Sequence, residues 1–395
     1  MRNLIFQPLS SLFLLIGLCL SFTTGHAQAP DYTIHQEYTS TRALGMGNAF
    51  TAVVDDHSAL FYNPAALAFR KDGQVRFFLR AGISDNYMDV MDDIDEANDE
   101  SDPQKEEKIA AAIEKHYGEH LYSRVPTLGA AWVRPRWGIA FIPADFSTDV
   151  TINRQLGPSL GVNAYLDSTL AWGYGRQLKE KWIPKRHKLA MGATLKAIHR
   201  AYYSDILSAA QLAVDDEVFK IDRSAEGLTV DMDLGVMWVP YFKPKTFFGK
   251  YAKPTFSFVA RNIADYGFPV QFEILNDDNP QEPPKLERRF DFGSKFDLPT
   301  LWVFSPKLAI DVRDVGHRNW TWMKGFHAGA ELYWKMANWW KGHWAIGMNQ
   351  GYMTAGFGAR LAWFQIDVAT FGEEVGTTDT PTESRRYILE LSIDI

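Results

Sequence analysis

Cysteine is nearly absent from the sequence: one, Cys19, in 395 residues. That excludes an internal disulfide framework and any Cys-rich zinc module. A basic balance is absent as well. The formal net charge is −7, so there is no overall cationic surplus to neutralise nucleic-acid phosphates. Beyond the N-terminus no stretch of about 18 apolar residues occurs, which excludes a helical membrane span there. The metalloprotease signature His-Glu-x-x-His is absent,. Asp55, Asp56, His57 and Ser58 supply triad residue types, but side by side, whereas a working triad converges in space around an oxyanion site. Gly45-Met46-Gly47-Asn48-Ala49-Phe50 lacks the third glycine of a dinucleotide loop and follows no buried strand,. Neither enzyme activity nor a cofactor is expected.

What is present is a hydrophobic fraction of 46% and an aromatic fraction of 14%, too rich for a disordered chain. The N-terminus has the layout of a secretory signal peptide, expected over residues 1–27. Arg2 gives the positive start, Leu12 to Leu20 a short apolar run, and Thr24, Gly25, His26 and Ala27 a small-residue exit,. Ala27-Gln28-Ala29 is a second candidate cleavage site. Cys19 follows Leu18 inside the apolar run, which is not the setting of a lipidated cysteine. Cleavage removes the cysteine and, among charged residues, only Arg2, taking the net charge from −7 to −8.

Thereafter the dominant pattern is alternation with period two. Leu228, Val230, Met232, Leu234, Val236 and Trp238 alternate with polar or small residues. Phe326, Ala328, Ala330, Leu332, Trp334 and Met336 repeat the pattern, as do Leu189 to Ala197 and Val75 to Ile83. Runs of about 9–12 residues exceed the common strand length of soluble sheets and approach what a tilted strand needs to cross a bilayer. In a soluble sandwich the apolar face turns inward. In a membrane barrel it turns to lipid, and Lys, Asp and Glu line a wet interior.

Two features favour the barrel. Aromatics gather at strand ends: Trp238, Tyr241 and Phe242 flank one run, and Trp334, Trp339, Trp340 and Trp344 crowd a short turn, as membrane–water interfaces favour. The chain also stops inside a strand. Tyr387, Leu389, Leu391, Ile393 and Ile395 alternate with Ile388, Glu390, Ser392 and Asp394, as a closing strand must if its edge is to be paired in lipid. This resembles the C-terminal assembly signal of bacterial outer-membrane proteins, with Ile395 where that signal commonly has Phe.

The expectation is therefore an all-β chain, a transmembrane antiparallel barrel of 12–14 strands over residues 73–395, with further strands near 125–150, 160–178, 254–264, 287–297, 301–313, 344–350, 353–370 and 384–395. The phase breaks near Trp363, as a bulge or a tight turn would each explain. Asp85 to Asp102 is acidic without Lys or Arg and lacks the turn glycine of a Ca²⁺ loop, so it reads as a solvated surface loop,. A short helical pattern follows at Ile109, Ile113 and Tyr117. His187, His199, His327 and His343 lack metal-ligand spacing and read as solvated or lumen-facing.

Residues 42–68 contain Leu44-Gly45-Met46-Gly47 with Ala49 and Phe50, then Asp55-Asp56, Ser58-Ala59 and Tyr62-Asn63-Pro64-Ala65. This combination resembles the N-terminal signature of FadL-like outer-membrane proteins, a superfamily with PorV-type and TraF-like branches. Gly347-Met348-Asn349-Gln350-Gly351-Tyr352 and Val259 to Ile263 are later echoes. The resemblance implies a 14-stranded barrel in the bacterial outer membrane whose residues 28–72 fold into the lumen as a plug, with Gly45, Gly47, Asp55, Asp56, Asn63, Pro64 and Ala65 as plug and gating residues. It implies passive uptake of a hydrophobic small molecule, leaving through the lumen or sideways through the wall. The alternative from the same resemblance is a PorV-like or TraF-like adaptor for a secretion or envelope machine. Expected partners are outer-membrane lipid, the hydrophobic ligand, the barrel-assembly machinery and, for the adaptor, secretion-system components.

Overall fold

The computed structural model describes residues 29, 31–97, 104–153, 157–181, 183–184, 186–214, 223–271, 274–276 and 281–395. The expected signal peptide lies outside them. The described residues contain fourteen strands. They are β1 (Gln74–Ser84), β2 (His120–Arg134), β3 (Trp137–Asn153), β4 (Ser159–Leu178), β5 (Lys188–Ser208), β6 (Ala225–Val239) and β7 (Lys253–Arg261), followed by β8 (Arg289–Asp297), β9 (Phe304–Val315), β10 (Phe326–Lys335), β11 (Trp340–Asn349), β12 (Tyr352–Leu361), β13 (Phe364–Glu374) and β14 (Glu383–Asp394). Each pairs antiparallel with its neighbour in the chain, and β1 pairs with β14, so the sheet closes on itself without an edge,. An even strand number returns β14 to the rim where β1 began. We call this the terminal rim and the opposite one the distal rim.

The alternation sorts side chains as a membrane barrel requires. On β14, Tyr387, Leu389, Leu391 and Ile393 are exposed outward while Ile388, Glu390, Ser392 and Asp394 are buried. On β1, Phe77, Leu79 and Ile83 face out and Arg76, Phe78 and Arg80 face in. The oily face is the outer one, with buried ionic side chains inside, opposite to a sandwich. Trp302, Trp339, Trp340 and Trp363 stand exposed at the terminal rim.

Three local expectations are refined. The stretch near 125–150 is two strands meeting at Pro135-Arg136, where Arg136 adopts φ +80°. The phase break at Trp363 is a tight turn between β12 and β13, with Ala362 at φ +56°. The acidic run, expected as a loop, is helical in its described part: α3 (Tyr87–Ala97) is followed by α4 (Lys105–Lys115). Val90, Ile94 and Ala97 recur at helical spacing and carry an apolar face onto Leu121, Ile152, Leu160 and Tyr203,. Burial of that face, which charge alone does not reveal, decides the conformation. The barrel is uneven in height. β4 and β5 run 20 and 21 residues, against 9 for β7 and β8. The extra length projects at the distal rim, where α3, α4 and α5 (Ala209–Val214) pack on it.

Candidate functional site: an occupied lumen and an interrupted wall

Residues 31–72 precede β1 and contact inward-facing groups on opposite sides of the ring, so they lie within it. Two short helices, α1 (Thr41–Gly45) and α2 (Ala59–Tyr62), and a 3-10 turn (Pro64–Phe69) carry most of the buried residues. The wall meets this segment with glycine in two places. On β4–β6, Gly175, Gly192 and Gly235 stand in one register row. A Cβ on Gly192 would lie 2.4 Å from the Pro64 carbonyl carbon, and one on Gly235 2.2 Å from Asn63 Oδ1. On β10–β12, a Cβ on Gly347 would lie 2.5 Å from Gly47 N, and one on Gly356 2.7 Å from the Gly45 Cα. Backbone packs directly on backbone at both seats, which side chains on the wall would forbid.

Of the residues expected to plug and gate, Gly45, Gly47, Asn63, Pro64 and Ala65 lie at these seats, and Asp55 and Asp56 fall between them along the chain. Gly47, at φ +64°, donates its N–H to Thr354 Oγ1 at 3.0 Å, and Thr354 donates to the Gly45 carbonyl at 3.0 Å. Asn63 caps the 3-10 turn by accepting from Ala65 N at 3.0 Å, and its amide donates to the Thr51 carbonyl at 3.0 Å,. Pro64 begins that turn, where no donor is needed,. Asp55 and Asp56 both accept from Arg42 Nη1, at 2.7 and 3.3 Å.

Sequence reading did not single out Arg42, the centre of this network. Its Nε and Nη2 donate to both oxygens of the buried Glu331, at 2.6 and 2.9 Å, and Lys307 Nζ donates to Glu331 at 3.2 Å. Such a forked pair fixes position as well as charge. Nor were the strand glycines recognised as seats. Their register across neighbouring strands was the available signal.

Elsewhere the segment is held by buried cations of the wall. Arg261 Nη1 donates to the Phe61 carbonyl at 2.8 Å, Arg313 Nη1 to the Asn48 carbonyl at 3.0 Å, and Arg289 Nη2 to Glu37 at 2.7 Å. Burial alone would raise the Glu37 carboxyl. Arg289, with Lys196 and Arg200, reverses this and holds it well below the usual carboxylate range,. Burial, reinforced by Arg76, pushes the His57 imidazole down to about 4, so it is neutral at pH 7. Its Nε2 lies 3.0 Å from the Tyr38 hydroxyl.

The interior is therefore largely filled by this segment, with most of its acids and bases paired. His199, His327 and His343 do face inward and are buried, whereas His187 stacks on Trp238 near the terminal rim. Among the described residues, the inner cavities of about 390, 190 and 50 Å³ have polar walls.

One part of the wall is interrupted. The β2–β3 ladder pairs Arg124 with Ser147, stops, and resumes at Ala130 with Phe141. Pro126 and Pro143 lie in the gap, one on each strand. Neither can donate to a ladder, which is why proline in a sheet interior breaks pairing. The neighbouring β1–β2 and β3–β4 ladders shift register at the same level. On the outer wall beside the gap lies an apolar groove of about 710 Å³, lined by Leu79, Leu128, Phe141 and Phe364. Phe78, an inward-facing ring, reaches it past Gly129, where a Cβ would lie 2.2 Å from the ring.

Fold and interior together define a closed antiparallel barrel with a lipid-compatible exterior and an occupied lumen. No family model matches the sequence, and no curated protein matches it. Solved structures similar to it include the Pseudomonas putida toluene transporter TodX (TM-score 0.47, 10% identity, covering 93% of this chain and 99% of that one). The Ralstonia pickettii toluene transporter TbuX gives 0.46 and 11%, covering 91% and 99%. A Pseudomonas aeruginosa FadL homologue gives 0.33 and 10%, covering 92% and 99%. The barrel assignment itself rests on the ladder pairings of this chain.

Proposed function

We propose that this chain is a bacterial outer-membrane channel for small hydrophobic molecules, with residues 31–72 as its plug and the β2–β3 interruption as a lateral exit into the bilayer. The observation that carries the reading is the five-residue gap beside Phe78, because unpaired backbone in a membrane wall is tolerated only where it serves a cavity or passage,. A lateral exit suits an apolar solute, which then avoids crossing water. Long connections at the distal rim and mostly short ones at the terminal rim put the latter on the periplasmic side, following the general pattern of such barrels,. Tyr387, Leu389, Leu391, Ile393 and Ile395 would serve as the recognition strand for barrel assembly.

The test is uptake of a small aromatic hydrocarbon by cells carrying the intact chain, a gene deletion, Asn63→Ala, or the double variant Pro126→Val/Pro143→Val. Deletion and the double variant should each abolish most uptake, and Asn63→Ala, which loosens the plug at its glycine seat, should change it. Unchanged uptake in the deletion strain refutes the channel. The adaptor reading is supported by one observation: the lumen is filled by paired charges, while a helical cap on β2–β5 offers a folded outer surface. Loss of secretion or envelope assembly in the same strain, with uptake intact, would favour it.

A further inference from the structure

The two rims carry opposite charge. At the distal rim the described residues of 85–119 contain ten carboxylates and three lysines. At the terminal rim, the described residues of 134–136, 176–188 and 240–253 contain eleven Lys and Arg and a single carboxylate, Glu180. The three basic connections follow β2, β4 and β6 and lie side by side. Gly175 N donates to the Arg136 carbonyl at 2.7 Å, joining the first two. Arg186 Nη1 donates to Tyr241 OH at 2.7 Å and its guanidinium lies 5.0 Å from that ring, joining the second and third. Arg186, Lys243, Lys245 and Lys250 are exposed, and none of them has a carboxylate within 4.0 Å among the described residues.

Aromatic rings accompany these cations. In the third connection Thr246 Oγ1 accepts from Gly249 N at 3.2 Å and caps the short helix α6 (Phe247–Lys250). This turn holds out Phe242, Phe247, Phe248 and Tyr251, with Phe247 64% exposed. Their rings continue the outer-wall girdle of Trp238 and Phe256, whose ring centroids lie 5.7 Å apart.

We infer that this basic, aromatic sector of the terminal rim is a docking surface for the anionic phosphates of bilayer phospholipids. The rings lie at the boundary between apolar wall and water, where amphipathic groups settle, and the cations beside them meet the phosphate layer. Charge complementarity selects an anionic leaflet. An acidic protein would match the charge but would leave four aromatic rings at girdle level without an apolar environment. The inference rests on the membrane-spanning reading of the barrel, and not on transport.

The experiment uses the full mature chain in phosphatidylcholine bilayers containing trace spin-labelled phosphatidylglycerol or phosphatidylcholine. The protein should immobilise the anionic label about threefold over the neutral one at low salt, with the excess fading near 1 M salt. The variant Arg186→Gln/Lys243→Gln/Lys245→Gln/Lys250→Gln should lose most of that preference. Lys105→Gln/Lys108→Gln/Lys115→Gln at the distal rim should keep it. Equal immobilisation of both labels by the intact chain, or full preference in the folded quadruple variant, overturns the inference alone. Failure to enter bilayers overturns the membrane-spanning reading along with it. Salt-sensitive binding of polyglutamate in preference to phosphatidylglycerol vesicles overturns it in favour of a protein partner.

Discussion

The wall at β10–β12 and the wall at β2–β3 face the same N-terminal segment and treat it in opposite ways. At β10–β12 every ladder position is paired, and glycines let α1 lie backbone against backbone, with the Arg42–Glu331 fork alongside. At β2–β3 two prolines interrupt the ladder, and only side chains span the gap: Arg124 forks onto Asp145 at 2.8 and 3.0 Å, Thr127 donates to it at 3.1 Å, and the Phe78 ring packs beside His57 with centroids 6.0 Å apart. The contrast teaches where this molecule can move. Each side has a forked ion pair, but only at β10–β12 is it backed by continuous backbone pairing. The β2–β3 side depends on side chains across its gap, the lower-cost element to displace.

Breaking the held side should have the largest effect. Arg42→Ala removes both bonds to the buried Glu331 and should cost about 3 kcal/mol, at the low end for a broken buried pair because Lys307 stays near Glu331,. It is read as a fall in the temperature at which the folded band on an unboiled gel is lost. Replacing both partners, as Arg42→Met with Glu331→Met, should recover much of that loss.

Acid probes the weaker side. His57 is held neutral in the folded state, with its pKa lowered to about 4. The unfolded chain, near 6.5, binds the proton more readily. Stability from this group is therefore complete above pH 6.5 and drains away as pH falls toward 4, by up to about 3 kcal/mol. Carboxylates titrate in the same range, so the comparison is with His57→Gln, whose unfolding temperature should fall less between pH 7 and 4. Parallel curves would show that the imidazole contributes nothing.

Glycine seating is the next step down. Gly356→Ala places a methyl carbon against the Gly45 backbone, where overpacking costs about 1–3 kcal/mol. An alanine at Gly118, whose surroundings are open but whose φ is +87°, should act only through its own backbone. The smallest expected effect is on the interrupted wall. Restoring donors with Pro126→Val/Pro143→Val should change the unfolding temperature little, while slowing hydrogen exchange at residues 125–129 and 142–146. Exchange as fast as in the parent would mean that something other than the missing donors keeps the strands apart.

Much of the barrel was legible beforehand, because strand periodicity is local. The alternation on β1, β6, β10 and β14, and the terminal phase from Tyr387 to Ile395, give the faces directly. The ambiguity at Trp363 was real in the sequence, since a bulge and a turn shift phase alike. It took the pairing of Leu361 with Phe364 to show a turn. The helix at Tyr87–Ala97 was masked by its charge, for its apolar face becomes meaningful only against the projecting ends of β2–β5.

The sequence by itself determined which residues face lipid, that the chain closes on its last strand, and which N-terminal residues are unusual. Those properties follow from spacing along the chain. Only the tertiary structure decided that Gly175, Gly192 and Gly235 form one seat, that Arg42 meets Glu331 across 289 positions, and that Pro126 and Pro143 face one gap. Register between strands is set by the whole closed ring, so which distant residues become neighbours exists only once the ring has formed.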